Sequence, residues 1–322
     1  MNDLLQVRGL TVELPTPSGW IRPVNDVLLR IASGESIGLV GESGSGKTML
    51  SLALMGLLPA GARVSGEAIL DTGSSAAKNL AALDDTGWRT VRGQDIAMVF
   101  QEPMTSLNPV MRIGSQIAES IVAHEPGING SVLDRRVLSA LEFSSVADPE
   151  LRAKQFPHQL SGGLRQRVMI AMALAGRPKI LIADEPTTAL DVTVQEQILE
   201  LLDRLRREMS LGLLFITHDL GVVAKVAERI AVMYAGRIIE EGAATDVLTS
   251  PKHPYTQGLL EASPSLRRST LLPIPGNMPR LTELPPGCSF GPRCSFHRAD
   301  CDAAMPELRL VNQGQSARCV LV

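Results

Sequence analysis

Gly41-Glu42-Ser43-Gly44-Ser45-Gly46-Lys47-Thr48 is the stretch from which the fold of this chain is read. It fits G-x-x-x-x-G-K-[ST], a loop whose backbone N–H groups cradle nucleotide phosphates. Just before it, Ser36-Ile37-Gly38-Leu39-Val40 predicts a short buried strand, and the apolar run at 49–58 predicts a helix. That context is required, because the loop must deliver phosphate to a helix N-terminus. Gly41, Gly44 and Gly46 lack Cβ atoms, so the backbone can turn sharply and approach an anion closely. Lys47 is placed to reach the β- and γ-phosphates, and the Thr48 hydroxyl to ligate Mg²⁺. Ser43 and Ser45 complete the candidate cradle.

Outward from the loop, residues 4–40 read as short strands separated by turns, with Pro15, Pro17 and Gly19 marking a loop. Trp20 lies in that loop. It is either a partly buried aromatic or a platform on which adenine stacks. Residues 60–95 suit an antiparallel excursion and a surface loop. The run 95–100 predicts a strand ending at Gln101, and the helical, charged pattern to about 160 predicts an insertion broken at Pro103, Pro109, Pro126 and Pro149.

Leu160-Ser161-Gly162-Gly163 precedes a predicted helix over 164–175, with Ser161 as its N-cap and two glycines leaving N–H groups open to an anion. The apolar run 180–183 then ends in Asp184-Glu185. Unbroken apolar character is that of a strand buried on both faces, and ligands bind beyond the carboxyl ends of such strands. Ile198, Leu201, Leu202 and Leu205 have helical spacing. Residues 213–217 predict another buried strand, ended by His218-Asp219, with Asp219 capping a helix that runs to about 230. Two short strands, 231–234 and 237–240, turn at Gly236. After Pro251 the composition shifts toward proline and cysteine, which sets a boundary near 250.

Length and charge bound the rest. The 322 residues allow one large domain or two smaller ones. A net charge of −3 argues against a general nucleic-acid binder. The start shows no basic segment followed by an apolar core, so no signal peptide is expected, and no apolar run reaches the ~18 residues of a membrane span. Any work at a membrane is expected to go through partners.

Phosphate loop, strand-ending Gln101, Leu-Ser-Gly-Gly, Asp184-Glu185 and His218 follow one another in a fixed order. In this the chain resembles the ATP-binding cassette (ABC) ATPases over essentially all of 4–250. The resemblance implies an α/β fold: a RecA-like parallel sheet core, an antiparallel β subdomain and a helical subdomain, here inserted at about 102–165. It implies that Asp184 holds Mg²⁺ opposite Thr48 with Gln101 sensing metal and γ-phosphate, that Glu185 is the general base, and that His218 is the switch histidine contacting the γ-phosphate. Ala189-Leu190-Asp191 matches the D-loop at the dimer interface. The resemblance further implies that Ser161, Gly162 and Gly163 cap the ATP held by a partner subunit, so that two cassettes close on two ATP molecules. Leu164 departs from the commoner Gln of the LSGGQ form; the backbone N–H groups remain, and little loss is expected.

The last seventy or so residues, 251–322, form the expected C-terminal extension. His253-Pro254-Tyr255-Thr256-Gln257-Gly258-Leu259-Leu260 and Pro285-Pro286-Gly287-Cys288-Ser289-Phe290-Gly291-Pro292-Arg293-Cys294 resemble the tail of oligopeptide/dipeptide importer ATPases. Nickel and glutathione importers carry versions of it. The resemblance implies an ATP-hydrolysing subunit for peptide import, peripheral on the cytoplasmic face of the cell membrane. Its partners would be a second cassette (identical or homologous), two permeases and an extracytoplasmic substrate-binding protein, with no nucleic acid. Nickel, glutathione or another small solute is the alternative cargo, and a non-transport ABC ATPase the more distant one.

All four cysteines, Cys288, Cys294, Cys301 and Cys319, fall in this tail. Four thiolates can hold a [4Fe–4S] cluster or zinc, or remain free; the C-x₂-C knuckles usual for zinc are absent. The resemblance favours the iron–sulfur cluster, in a structural role.

Overall fold

The computed structural model describes residues 3–71, 77–101, 106–188, 190–263 and 272–322. The chain divides into two compact units: Met1–Ala32, Ser36–Ala82 and Leu214–Val322 in the first, Ser33–Glu35 and Leu83–Leu213 in the second. The cysteine tail lies in the first.

The first unit opens on two long strands, β1 (Asp3–Thr16) and β2 (Gly19–Ala32), joined by a tight turn and paired antiparallel from Asp3↔Ala32 to Thr16↔Gly19. The short strands read from the sequence are thus one hairpin, kinked by register shifts. Pro23 is tolerated inside β2 because β2 is the edge of its sheet, where an N–H need not donate. Next come β3 (Ser36–Val40), buried at every residue, and α1 (Lys47–Leu54). With β4 (Arg63–Leu70) and β5 (Lys78–Asn79), the hairpin completes a four-stranded antiparallel sheet in the order β2-β1-β4-β5.

The second unit carries α2 (Asp85–Val91), β6 (Ile96–Val99) and then α3 (Ile113–Val122), α4 (Gly130–Phe143) and α5 (Pro149–Lys154), which pack on one another. Ile113, Ile117 and Ile121 bury the inward face of α3. These helices fall within 102–165, where the sequence predicts a helical insertion; residues 102–105, with Pro103, lie outside the described residues. After α6 (Gly162–Leu174) comes β7 (Ile180–Asp184), wholly buried and paired parallel to β6. Helix α7 (Val192–Met209) follows, burying Ile198, Leu201, Leu202 and Leu205 as their spacing predicted.

Strand β8 (Gly212–Thr217) leads back into the first unit. Helix α8 (Leu220–Val226) ends four residues earlier than the sequence reading, because Arg229 already begins β9 (Arg229–Tyr234), which pairs parallel to β3. β9 turns at Ala235-Gly236 into β10 (Arg237–Ala243). Beyond α9 (Ala244–Thr249) and α10 (Pro254–Ala262), the tail forms α11 (Asp300–Ala303) and a hairpin of β11 (Arg309–Asn312) and β12 (Gln315–Ala317). β12 pairs with β10, so the tail adds strands to the first unit's main sheet.

Candidate active site

In the first unit, β3 delivers the chain into the phosphate loop, and α1 begins at Lys47 directly after it. Gly46 has φ +109°, and a Cβ there would sit 2.0 Å from the Pro23 carbonyl oxygen. No other residue fits. The loop closes on itself through Ser45 N–H to the Glu42 carbonyl (3.2 Å), and Gly236 N–H reaches the Ser45 carbonyl (2.8 Å). Lys47 is buried, and its Nζ donates to the carbonyls of Gly41 (2.7 Å) and Glu42 (3.0 Å) and to Ser45 Oγ (3.4 Å). The ammonium is therefore seated over the same loop that Gly44 and Ser43 complete. His218, also in this unit, is exposed at the end of β8, and Asp219 caps α8 by accepting from Gly221 N–H at 2.8 Å.

Trp20 stands on strand β2, not in a loop, and is 43% exposed. The Arg63 guanidinium lies 3.9 Å above its ring, on the antiparallel sheet. A guanidinium thus covers one face of the ring.

In the second unit, Asp184 closes β7 and is buried. Glu185 follows with φ +46°, a left-handed conformation uncommon for a side chain of this size and found disproportionately at working sites. Its Oε2 accepts from Gln101 Nε2 (3.1 Å) and Thr188 Oγ1 (2.9 Å). Gln101 and Glu185, 84 residues apart, thus share a hydrogen bond that the sequence reading does not include. Thr188 was missed: nothing in its sequence spacing marks it, and only the turn after β7 brings its hydroxyl back to the carboxylate. Ser161 caps α6, accepting from Leu164 N–H at 3.4 Å, with Gly162 exposed beside it. Asp191 caps α7 through Val194 N–H (3.0 Å); Ala189 lies outside the described residues.

The tail gathers all four cysteines around one small pocket, with His253, Phe290 and Gly291, and every surface they expose to it is apolar. Burial raises the pKa of Cys288, Cys294 and Cys319. The opposing influence is backbone N–H donation to sulfur: from Phe290 and Gly291 to Cys288, from Phe296 to Cys294 and from Leu321 to Cys319. His253 is fully buried, so its pKa falls to about 3 and the ring is neutral. Among the described residues no group of three or more His, Cys, Asp or Glu is assembled as a metal ligand set. The iron–sulfur expectation therefore has a pocket and a donor set, but no assembled ligand group.

Among the described residues, no helix is long and apolar enough to cross a membrane. The ABC transporter family matches residues 24–188, and the chain belongs to it: an ATP-hydrolysing cassette, for which ATP and Mg²⁺ are the expected ligands. The C-terminal region of oligopeptide/dipeptide transporters matches residues 239–301. The chain is 46% identical to the oligopeptide transport ATP-binding protein OppD of Haemophilus influenzae, covering 100% of this chain and 98% of that protein. It is likewise 46% identical to OppD of Salmonella typhimurium, over 99% and 93%. A dimeric bacterial ABC transporter cassette superposes with a TM-score of 0.65 at 30% identity, covering 74% of this chain and 98% of that one. A dimeric cassette in a post-hydrolysis state, bound to ADP and phosphate, gives the same values.

Proposed function

We propose that this chain is the ATP-hydrolysing subunit of a peptide importer, working on the cytoplasmic face of the membrane as one of a pair of cassettes bound to two permeases. The observation that carries this reading is the tail: its match to the oligopeptide/dipeptide transporter C-terminal region continues the full-length likeness to OppD.

In this reading Gly41, Ser43, Gly44, Ser45 and Gly46 wrap the phosphates, Lys47 neutralises their charge, and Thr48 and Asp184 hold Mg²⁺. Glu185 takes the proton of the water that attacks the γ-phosphorus, while the bond to ADP breaks. Gln101 and Thr188 hold the carboxylate in place by donating to its Oε2, and Gln101 also senses Mg²⁺. His218 contacts the γ-phosphate. Ser161, Gly162 and Gly163 complete the site on a partner cassette, and hydrolysis lets the pair reopen. Positioning and charge neutralisation are what phosphoryl transfer requires.

Cys288, Cys294, Cys301 and Cys319 fit a [4Fe–4S] cluster in donor chemistry: four sulfurs in an apolar pocket, three of them receiving backbone N–H bonds of the kind that stabilise cluster-bound thiolates. A bound cluster supplies cross-linking of a tail that has little core of its own. Zinc is the alternative occupant.

Deleting the gene and following uptake of labelled dipeptides, oligopeptides, nickel and glutathione tests the assignment. Loss of peptide uptake alone, restored by the parent chain but not by Lys47→Ala, is the expected result. Loss of nickel or glutathione uptake with peptides unaffected overturns it.

A further inference from the structure

The phosphate loop carries an acid. Glu42 lies between Gly41 and Ser43, and an uncompensated carboxylate there repels the polyphosphate that the loop receives. The first unit answers it with a cation from 251 residues downstream: Arg293 donates from Nη1 to Oε2 at 2.7 Å and from Nη2 to Oε1 at 3.0 Å. A two-point fork of this kind fixes direction as well as charge. The Arg293 side chain is only 5% exposed. It lies near the rings of Phe290 and Tyr234, and Nε donates to the Pro275 carbonyl at 2.8 Å.

Glu42 is gripped elsewhere too. Its N–H donates to the Tyr255 hydroxyl at 2.8 Å, and its carbonyl accepts from Lys47 Nζ at 3.0 Å. Tyr255 is fully buried and packs tilted against Tyr234 and Phe290, with ring centroids 4.6 and 5.4 Å away. Met278 reaches the loop as well, its Sδ 3.9 Å from where a Cβ on Gly44 would stand. The side chain of one tail residue thus holds an acid whose own carbonyl anchors the loop lysine.

We propose that Arg293 is a positioning residue for the nucleotide: by holding and neutralising Glu42 it keeps the phosphate loop in the shape and charge state that accept MgATP. This rests on the loop binding ATP, and not on what fills the cysteine pocket.

The test is a double-mutant cycle on the full chain, reading the dissociation constant for MgATP by titration and thermal stability without nucleotide. Arg293→Ala leaves a bare carboxylate in the cradle and is expected to weaken MgATP about tenfold, a deficit that shrinks as salt screens the repulsion. Glu42→Gln, which loses the fork but carries no charge, is expected to weaken it only about threefold. Adding Glu42→Gln to Arg293→Ala should restore binding to that milder level, as coupled partners require. Arg293→Lys, with charge but no fork, should fall between parent and alanine. The proposal is overturned if Arg293→Ala binds MgATP as the parent does, or if the two losses simply multiply. Should Arg293→Ala fail to fold, Glu42→Gln binding at parent affinity overturns it equally. A parent chain that does not bind MgATP sinks the ATPase reading instead.

Discussion

Glu185, the proposed general base, carries a signal in its own backbone. It occupies left-handed φ at +46°, and Gln101 and Thr188 converge on a single carboxylate oxygen. Removing the base while keeping the shape is the decisive change. Glu185→Gln is expected to lower ATP turnover by at least about 10²-fold while retaining MgATP, so that the closed pair accumulates and elutes at twice the chain's mass. A mutant turning over like the parent removes Glu185 from the mechanism. Thr188→Val deletes one hydrogen bond and should cost roughly fivefold in kcat with little change in KM. A rise in KM alone would instead place Thr188 in nucleotide binding. Gln101 and Glu185 stand out in the sequence because each follows an apolar run, but the hydrogen bond between them does not. Nor does Thr188, because a hydroxyl in a turn gains meaning only when the turn's path is known. The Glu42–Arg293 pair escaped for a related reason: position two of the phosphate-loop pattern admits any residue, and its partner is far along the chain.

At the scale of elements, strands buried on both faces were the clearest signal. β3, β7 and β8 are apolar nearly throughout and are buried at every position. The β1–β2 hairpin was legible only as fragments. Pro15, Pro17 and Gly19 read as a loop, yet Pro15 lies past the last residue of β1 that pairs with β4 and is still in the hairpin, and Pro23 sits on an edge strand. A proline stops a strand only where its N–H is needed. The β11–β12 hairpin was not read at all, since two strands of four and three residues carry no periodicity. Seating of the phosphate loop depends on how closely α8 approaches β3. A Cβ on Gly38 would lie 2.3 Å from Val223 Cγ1, so Gly38→Ala should destabilise the chain by about 1–3 kcal/mol, seen as a lower denaturation midpoint at unchanged slope. An unshifted midpoint would mean that the strand and helix separate at no cost. For α6, the proposed site is made by the N–H groups of the N-cap and the two leading glycines and not by the side chain at 164. Leu164→Gln is therefore expected to change kcat by no more than about twofold; a larger change would make that side chain part of the site.

Across the molecule, the sequence marks the tail at 250 by composition, whereas the structure builds 251–322 into the same unit as the phosphate loop, through β12 on β10 and through Arg293 and Tyr255 on Glu42. Composition changes where a segment has a different means of holding itself together; contacts decide what it is part of. That means of cohesion is the remaining question for the four cysteines. Burial pushes three of the thiols up in pKa, so alone they stay protonated and inert. A bound iron or zinc centre would deprotonate them and supply the cross-link that the backbone N–H donors are already arranged to support. The proposed cluster predicts that anaerobically purified chain is brown, holds about four irons, and loses both colour and iron in Cys301→Ser. Chelation should then expose the tail to protease while phosphate-loop residues 41–48 stay protected, because Tyr255 and Arg293 reach Glu42 without any cysteine. Colourless chain with one zinc would replace the cluster by a single ion drawn in from a pocket not assembled for it. Colourless chain with no metal would leave apolar contacts and the Arg293 fork as the tail's only anchors, and a tail that was protease-resistant in that state would show that they suffice.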